Sequence, residues 1–168
     1  MMSRRNTLMG LGAVGAALAG LRSLFFHGPA QAAPARSYEV THTEAEWKQL
    51  LTPAQFDVLR HAGTEPPFSS PLDREKRQGI FSCAGCSLPL FSSKTKFESG
   101  TGWPSFYQPL AKDAVDEHSD TTFGMQRTEV LCHRCGGHLG HVFSDGPKPT
   151  GLRYCMNGLA LKFTPAQA

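Results

Sequence analysis

The distribution of five cysteines constrains this chain more than any other feature of it. Four form two C-x-x-C pairs, Cys83-Ala-Gly-Cys86 and Cys132-His-Arg-Cys135, and the fifth stands alone in Gly151-Leu-Arg-Tyr-Cys-Met-Asn157. Two such pairs can deliver four thiolates to one tetrahedral Zn2+. A closed four-cysteine site keeps no open position, so the metal would be structural. Cys86 and Cys132 are separated by 45 residues, so the two knuckles would tie distant segments together and metal binding would be part of folding. Two disulfides in an oxidising compartment are an alternative. A thioredoxin-like redox pair is a third, but the βαβ context it needs is absent. If the four sulfurs hold a metal, Cys155 is the one thiol left for chemistry.

The chain has 168 residues, with 17 Gly, 12 Pro and 11 Phe. That length suits one domain and a leader, and the composition suits short strands joined by turns. The net charge of +3 comes from Arg4, Arg5 and Arg22, which lie before residue 33 where no acid occurs; 14 Lys/Arg and 14 Asp/Glu remain beyond it. A basic footprint for nucleic acid or anionic lipid is therefore missing, and no nucleic-acid partner is expected. Residues 1–32 read as an export signal. Ser3-Arg-Arg-Asn-Thr-Leu-Met9 resembles the twin-arginine motif, with Thr7 where that motif usually has Phe. A Gly/Ala/Leu run from Leu8 to Leu21 follows, and Ala30-Gln-Ala32 offers a small-residue cleavage site. Export to a bacterial periplasm, with no stable membrane association after processing, is the expectation; an uncleaved anchor is the alternative. Residues 33–42 are expected to be a linker and 43–165 the functional domain.

Thr43-Glu-Ala-Glu46 and Thr52-Pro-Ala-Gln55 are capping-box patterns, the second with Pro at the first helical position. They predict two short helices, about 44–51 and 53–61, with Gly63 as the stop of the second. From residue 79 the pattern changes to strands: Gly79–Ser82, Ser87–Phe91, Phe123–Leu131, His138–Phe143, Leu152–Asn157 and Leu159–Phe163. The expected fold is mainly β, a small antiparallel two-sheet structure with short N-terminal helices.

If Leu152–Asn157 is extended, Arg153, Cys155 and Asn157 share one face. A cation and an amide beside a thiol favour the thiolate. A buried structural cysteine is the plain alternative. His138 and His141 can move protons near neutral pH, or be ordinary strand histidines. Trp103, in Gly100-Thr-Gly-Trp-Pro-Ser-Phe106, can wall an apolar pocket or sit in the core.

These segments together resemble the methionine sulfoxide reductase B family. The matching residues are Thr64-Glu-Pro-Pro-Phe68, Cys83-Ala-Gly-Cys86, Lys96-Phe-Glu-Ser-Gly100, Gly102-Trp-Pro-Ser-Phe106, Cys132-His-Arg-Cys135, Gly137-His-Leu-Gly-His141, Asp145-Gly-Pro-Lys-Pro-Thr-Gly151 and Arg153-Tyr-Cys-Met-Asn157. They occur in family order across about residues 43–165. The resemblance implies reduction of methionine R-sulfoxide, protein-bound and more weakly free, to methionine. It implies Cys155 as nucleophile, passing through a sulfenic acid. His138, His141 and Asn157 match positions that bind and polarise the sulfoxide oxygen. Trp103 matches the wall for the substrate methyl, Arg153 flanks the nucleophile as a substrate-binding residue, and Cys83, Cys86, Cys132 and Cys135 match zinc ligands. A thioredoxin-like or other thiol electron donor and a monomer are expected with it.

One position departs from the family. Many members carry a resolving cysteine where this chain has Thr101. Either an external thiol attacks the Cys155 sulfenic acid directly, or a knuckle cysteine is released to do so. The first is expected, because freeing a zinc thiolate would loosen the fold. The rival to all of this is a non-catalytic, zinc-stabilised protein-binding module.

Overall fold

The computed structural model describes residues 37–167. The expected leader, and the linker as far as residue 36, lie outside the described residues. Among those described, no helix is long and apolar enough to cross a membrane.

The described chain begins with α1 (Glu44–Leu50) and α2 (Pro53–His61), each started by a reciprocal capping box, Thr43 with Glu46 and Thr52 with Gln55. Each box satisfies two backbone N–H groups that a free helix start would leave bare. The second helix ends at His61, as expected. Ala62 takes the left-handed conformation, φ 54°, and Gly63 N–H returns to the Asp57 carbonyl at 3.1 Å.

Among the described residues nine strands follow: β1 (Gly79–Cys83), β2 (Pro89–Ser92), β3 (Lys96–Phe97), β4 (Ser105–Phe106), β5 (Val115–Asp120), β6 (Arg127–Cys132), β7 (His138–Phe143), β8 (Arg153–Met156) and β9 (Leu161–Pro165). They form two antiparallel sheets, of order β2-β1-β9 and β3-β4-β8-β7-β6-β5. Phe81 and Phe91 of the small sheet meet Phe106 of the large one, with ring centroids 5.0 and 4.5 Å apart. All three rings are fully buried. Burial of aromatic area on this scale dominates the stability of a small core.

Strand β5 escapes the sequence pattern. Its residues Val-Asp-Glu-His-Ser-Asp are nearly all polar, because it is the outer strand of the six-stranded sheet and three of its six positions are exposed. Solvated edge strands are commonly polar, which blunts edge-to-edge association. The expected strand 123–131 is correspondingly shorter, starting at Arg127 after a single 3-10 turn.

The pairing of β6 with β7 contains a bulge: Val130 opposes Gly140 but Leu131 opposes His138. In a regular strand, residues three apart face opposite sides. The extra residue restores His138 and His141 to one side. Gly140 makes this possible, since a Cβ there would overlap the Cys155 carbonyl oxygen of β8. Gly140→Ala is therefore expected to destabilise the fold by about 1–3 kcal/mol through overpacking, read as a lower urea midpoint at unchanged slope.

Candidate active site and metal centre

The two knuckles are the β1–β2 and β6–β7 turns, so one belongs to each sheet. They meet. Cys83 Sγ lies 3.7 Å from Cys135 Sγ, Cys86 Sγ lies 3.5 Å from Cys132 Sγ, and all four ligand atoms fall within 4.8 Å of one another. A tetrahedral ion with metal–sulfur bonds of about 2.3 Å needs sulfurs roughly 3.8 Å apart. Disulfides need about 2.0 Å, so these four sulfurs fit one metal ion and are not disulfide-bonded. The helices cover the cluster. Arg60 donates to the Cys135 carbonyl at 3.0 Å, and the Trp47 ring packs at Gly85 of the first knuckle. His133, inside the second knuckle, turns away to Asp116 at 3.0 Å. The purified protein is expected to carry one metal ion per chain by elemental analysis. Stripping it with a strong chelator is expected to expose the four knuckle thiols to titration beside Cys155 and to lower the thermal midpoint. Paired disulfides would respond to neither treatment.

On the face of the large sheet opposite its core, register places Glu129, His141, Cys155 and Ser105 in one row across β6, β7, β8 and β4. Directly paired residues project to the same side. Tyr154 and Met156 point into the core, as alternation predicts. Above the row is a cavity of about 150 Å³, lined by Thr64, Trp103, Arg127, Gly140, His141, Phe143, Cys155 and Asn157. It has room for the tip of one side chain, bounded by two aromatic rings, a thiol and a few polar groups.

The polar groups around it are held firmly. His138 Nδ1 and Glu129 Oε1 are 2.6 Å apart, and His141 Nε2 and Asp120 Oδ2 are 2.8 Å apart. Each imidazole thus has a carboxylate to fix its orientation. His138 is not among the cavity-lining residues; it lies behind His141, ring centroids 5.5 Å apart, and is 4% exposed. Hydrogen bonds from Thr122, and then the contact with His141, hold the Asp120 carboxyl well below its usual range, and burial pushes His141 down. The His138 contact likewise lowers Glu129.

Glu65 ties the loop before the first sheet to the site. Its N–H donates to Asn157 Oδ1 at 3.0 Å, its carbonyl accepts the Trp103 indole N–H at 3.1 Å, and its carboxylate accepts the N–H groups of Gly158 and Leu159. Trp103 and Asn157 are thereby fixed to the same short peptide. Burial raises the Glu65 carboxyl against the lowering effect of those two N–H donors. Asn157 also donates to the Leu139 carbonyl at 3.2 Å.

Arg153 is not among the cavity-lining residues. Its guanidinium makes a two-bonded pair with Asp145, at 2.9 and 2.8 Å, and lies over the Phe143 ring, 4.4 Å from its centroid. Its charge still reaches Cys155 and favours the thiolate, as do hydrogen bonds from Thr101 and Ser105; burial outweighs all three and raises the thiol. Thr101 Oγ1 is 3.7 Å from Cys155 Sγ and 2.8 Å from Ser99 Oγ, which in turn is 2.8 Å from Ser105 Oγ. The position that departs from the family thus lies beside the nucleophile candidate. Because the folded thiol is raised, iodoacetamide is expected to alkylate Cys155 slowly at neutral pH. Its rate should climb with a midpoint above the free-cysteine value of about 8.5.

Glu65, Asp120, Arg127 and Glu129 were not legible as site residues from pattern alone. Glu65 lies in a proline-rich loop, and the other three lie on or beside the polar edge strand, whose existence the apolar pattern does not show.

The SelR domain profile matches residues 51–165, and with it the whole of this site. The chain belongs to the MsrB family. Proteins named peptide methionine sulfoxide reductase MsrB are similar to it across nearly their full length. That of Leptospira interrogans serogroup Icterohaemorrhagiae serovar Lai is 55% identical over 127 residues, covering 76% of this chain and 97% of that one. That of Methanosarcina mazei is 56% identical over 126 residues, covering 75% and 90%. That of Agrobacterium fabrum is 53% identical over 129 residues, covering 77% and 96%. The MsrB match spans both knuckles, the cavity and the strand that carries Cys155.

Proposed function

We propose that this MsrB-family chain reduces methionine R-sulfoxide in proteins and peptides to methionine, with Cys155 as nucleophile. The observation that carries the reading is the cavity itself. It sets one thiol, flanked by His141 and Asn157, under a wall made by Trp103 and Phe143. That is the complement of a methyl sulfoxide, an apolar methyl beside a strongly accepting oxygen. A non-catalytic binding module has no use for a thiol beside a carboxylate-oriented histidine in so small a cavity.

In the proposed reaction the Cys155 thiolate attacks the sulfoxide sulfur. His141, with His138 behind it, supplies one proton to the oxygen, and the Asn157 amide donates a hydrogen bond to it. The oxygen passes to Cys155 as a sulfenic acid and methionine leaves. Two electrons move from the cysteine sulfur to the substrate sulfur. A donor thiol then attacks the sulfenic acid, releasing water and forming a mixed disulfide, and a second thiol frees Cys155.

The donor is proposed to be external, such as a thioredoxin-like protein. Cys155 and Cys132 are separated by two strand spacings and about three residues of register, roughly 14 Å. A disulfide requires Cα atoms within about 7 Å. Recruiting a knuckle cysteine would therefore mean dismantling the metal centre, whose ion is proposed to be Zn2+ on the strength of the all-thiolate donor set. Export through the twin-arginine leader and action as a monomer on oxidised exported proteins belong to the same proposal. The support for export is the leader motif and the cleavage-site pattern.

The test is release of methionine from separate R- and S-sulfoxide peptides by the metal-loaded protein with dithiothreitol, beside Cys155→Ser. Turnover of the R epimer alone, abolished in the variant, is expected. After one turnover without reductant, dimedone should label Cys155, and peptide mapping should find no Cys155–knuckle disulfide. Equal turnover of both epimers, or activity surviving Cys155→Ser, would overturn the reading.

A further inference from the structure

Arg127 is a cavity-lining residue that the proposed reaction has so far left without a task. It opens β6 opposite Asp120 of the edge strand. Its Nη2 donates to Asp120 Oδ2 at 2.6 Å and to Thr122 Oγ1 at 3.3 Å. Its Nε is buried and has no hydrogen-bond partner among the described residues. A buried donor on a charged group is costly to leave bare, and proteins supply such atoms with water or a ligand. His138 Nε2 is the second atom in this part of the site that is buried without a partner among the described residues. Of the two side chains, Arg127 lines the cavity, whereas His138 lies behind His141.

The chemistry of the substrate class explains what such a donor could serve. A sulfoxide is a strongly dipolar S–O group. When a thiolate adds to its sulfur, negative charge grows on the oxygen before a proton arrives. A guanidinium is charged at every working pH and presents its N–H groups in a fixed fork. It can hold that charge without first acquiring a proton, unlike an imidazole in a site where burial disfavours the charged form, as it does for His141. Preorganised donors aimed at developing charge in a water-poor cavity are among the largest single contributions to catalysis.

We propose that Arg127 is a catalytic residue: its Nε–H binds the sulfoxide oxygen and holds the charge that builds there as Cys155 attacks. The Asp120 pair keeps the guanidinium plane in place, and the same carboxylate orients His141. The oxygen is then gripped from two sides, by a permanent cation and by a proton donor, while Trp103 takes the methyl. This assignment rests on the reductase reading above.

The experiment separates oxygen recognition from support of Asp120. Turnover of the R-sulfoxide peptide by the unmodified, metal-loaded protein is established first; its absence would sink the reductase reading and this proposal with it. Calorimetry then measures binding of the R-sulfoxide peptide and of the matching thioether peptide, which lacks only the oxygen, to Cys155→Ser, which cannot turn over. Adding Arg127→Met is expected to lower sulfoxide affinity about ten-fold or more, the worth of a charged hydrogen bond. Thioether affinity should stay within about two-fold. In the Cys155 background kcat is expected to fall about 10²-fold or more. Arg127→Lys, which keeps the charge toward Asp120 but has no Nε fork, should lose the same preference, and it carries the test if the methionine variant folds poorly. Asp120→Asn reports the cost of losing the ion pair together with the carboxylate that orients His141. If both arginine variants keep the full preference for sulfoxide over thioether, Arg127 is an ion-pair residue and the proposal is overturned.

Discussion

The four-sulfur cluster is the constraint on which the rest depends. It is the point where the turn of the small sheet and a turn of the large sheet are brought to one place. The phenylalanine core sits between the same two sheets, so an ion held by these sulfurs and the core would act on one interface. The second knuckle also fixes where β7 begins, because Cys132 N–H bonds to the Gly137 carbonyl at 2.8 Å and His138 follows at once. Loss of the metal would therefore reach the site through the start of that strand.

From there the site follows by register. The bulge at Leu139–Gly140 puts both histidines on the outer side, and β8 slides beneath Gly140 so that His141 and Cys155 pair directly. A backbone that close leaves no room for a side chain on residue 140. Cys155 is held by the middle of a six-stranded sheet, flanked by β7 and β4, rather than by a loop. Sites carried on such elements are positioned with little local freedom.

Loops supply the remaining walls, and they are coupled to the strand rather than merely near it. Glu65 uses its amide, its carbonyl and its carboxylate on Asn157, Trp103 and the peptide after Asn157. Phe68, three residues later, bonds to the Gly102 carbonyl at 2.7 Å in a left-handed conformation, φ 64°. The result is that the Trp103 indole and the Asn157 amide shift together or not at all.

Much of this was written in local order. Capping boxes announce both helices, because a helix start is satisfied by residues three apart. C-x-x-C pairs announce the four-sulfur cluster, because each turn carries its two sulfurs itself. The lone cysteine and its strand alternation announce Cys155 and the buried side of β8. What sequence alone did not determine involves partners distant in the chain. The polar strand β5 has no apolar alternation to reveal it. Histidines three apart look like residues on opposite faces until a bulge, set by pairing with β6 and β8, turns them together. Glu129, Asp120 and Arg127 acquire meaning only when neighbouring strands align them with the imidazoles and the cavity. Arg153, two residues before Cys155 on the same strand, is drawn instead to Asp145 and Phe143. The chain encodes its short-range geometry residue by residue, whereas the cavity exists only where the large sheet, two loops and the turn of the second cysteine pair converge. Hydrogen-bond register and backbone closeness between distant segments are properties of the tertiary structure, and they decide which side chains face one another.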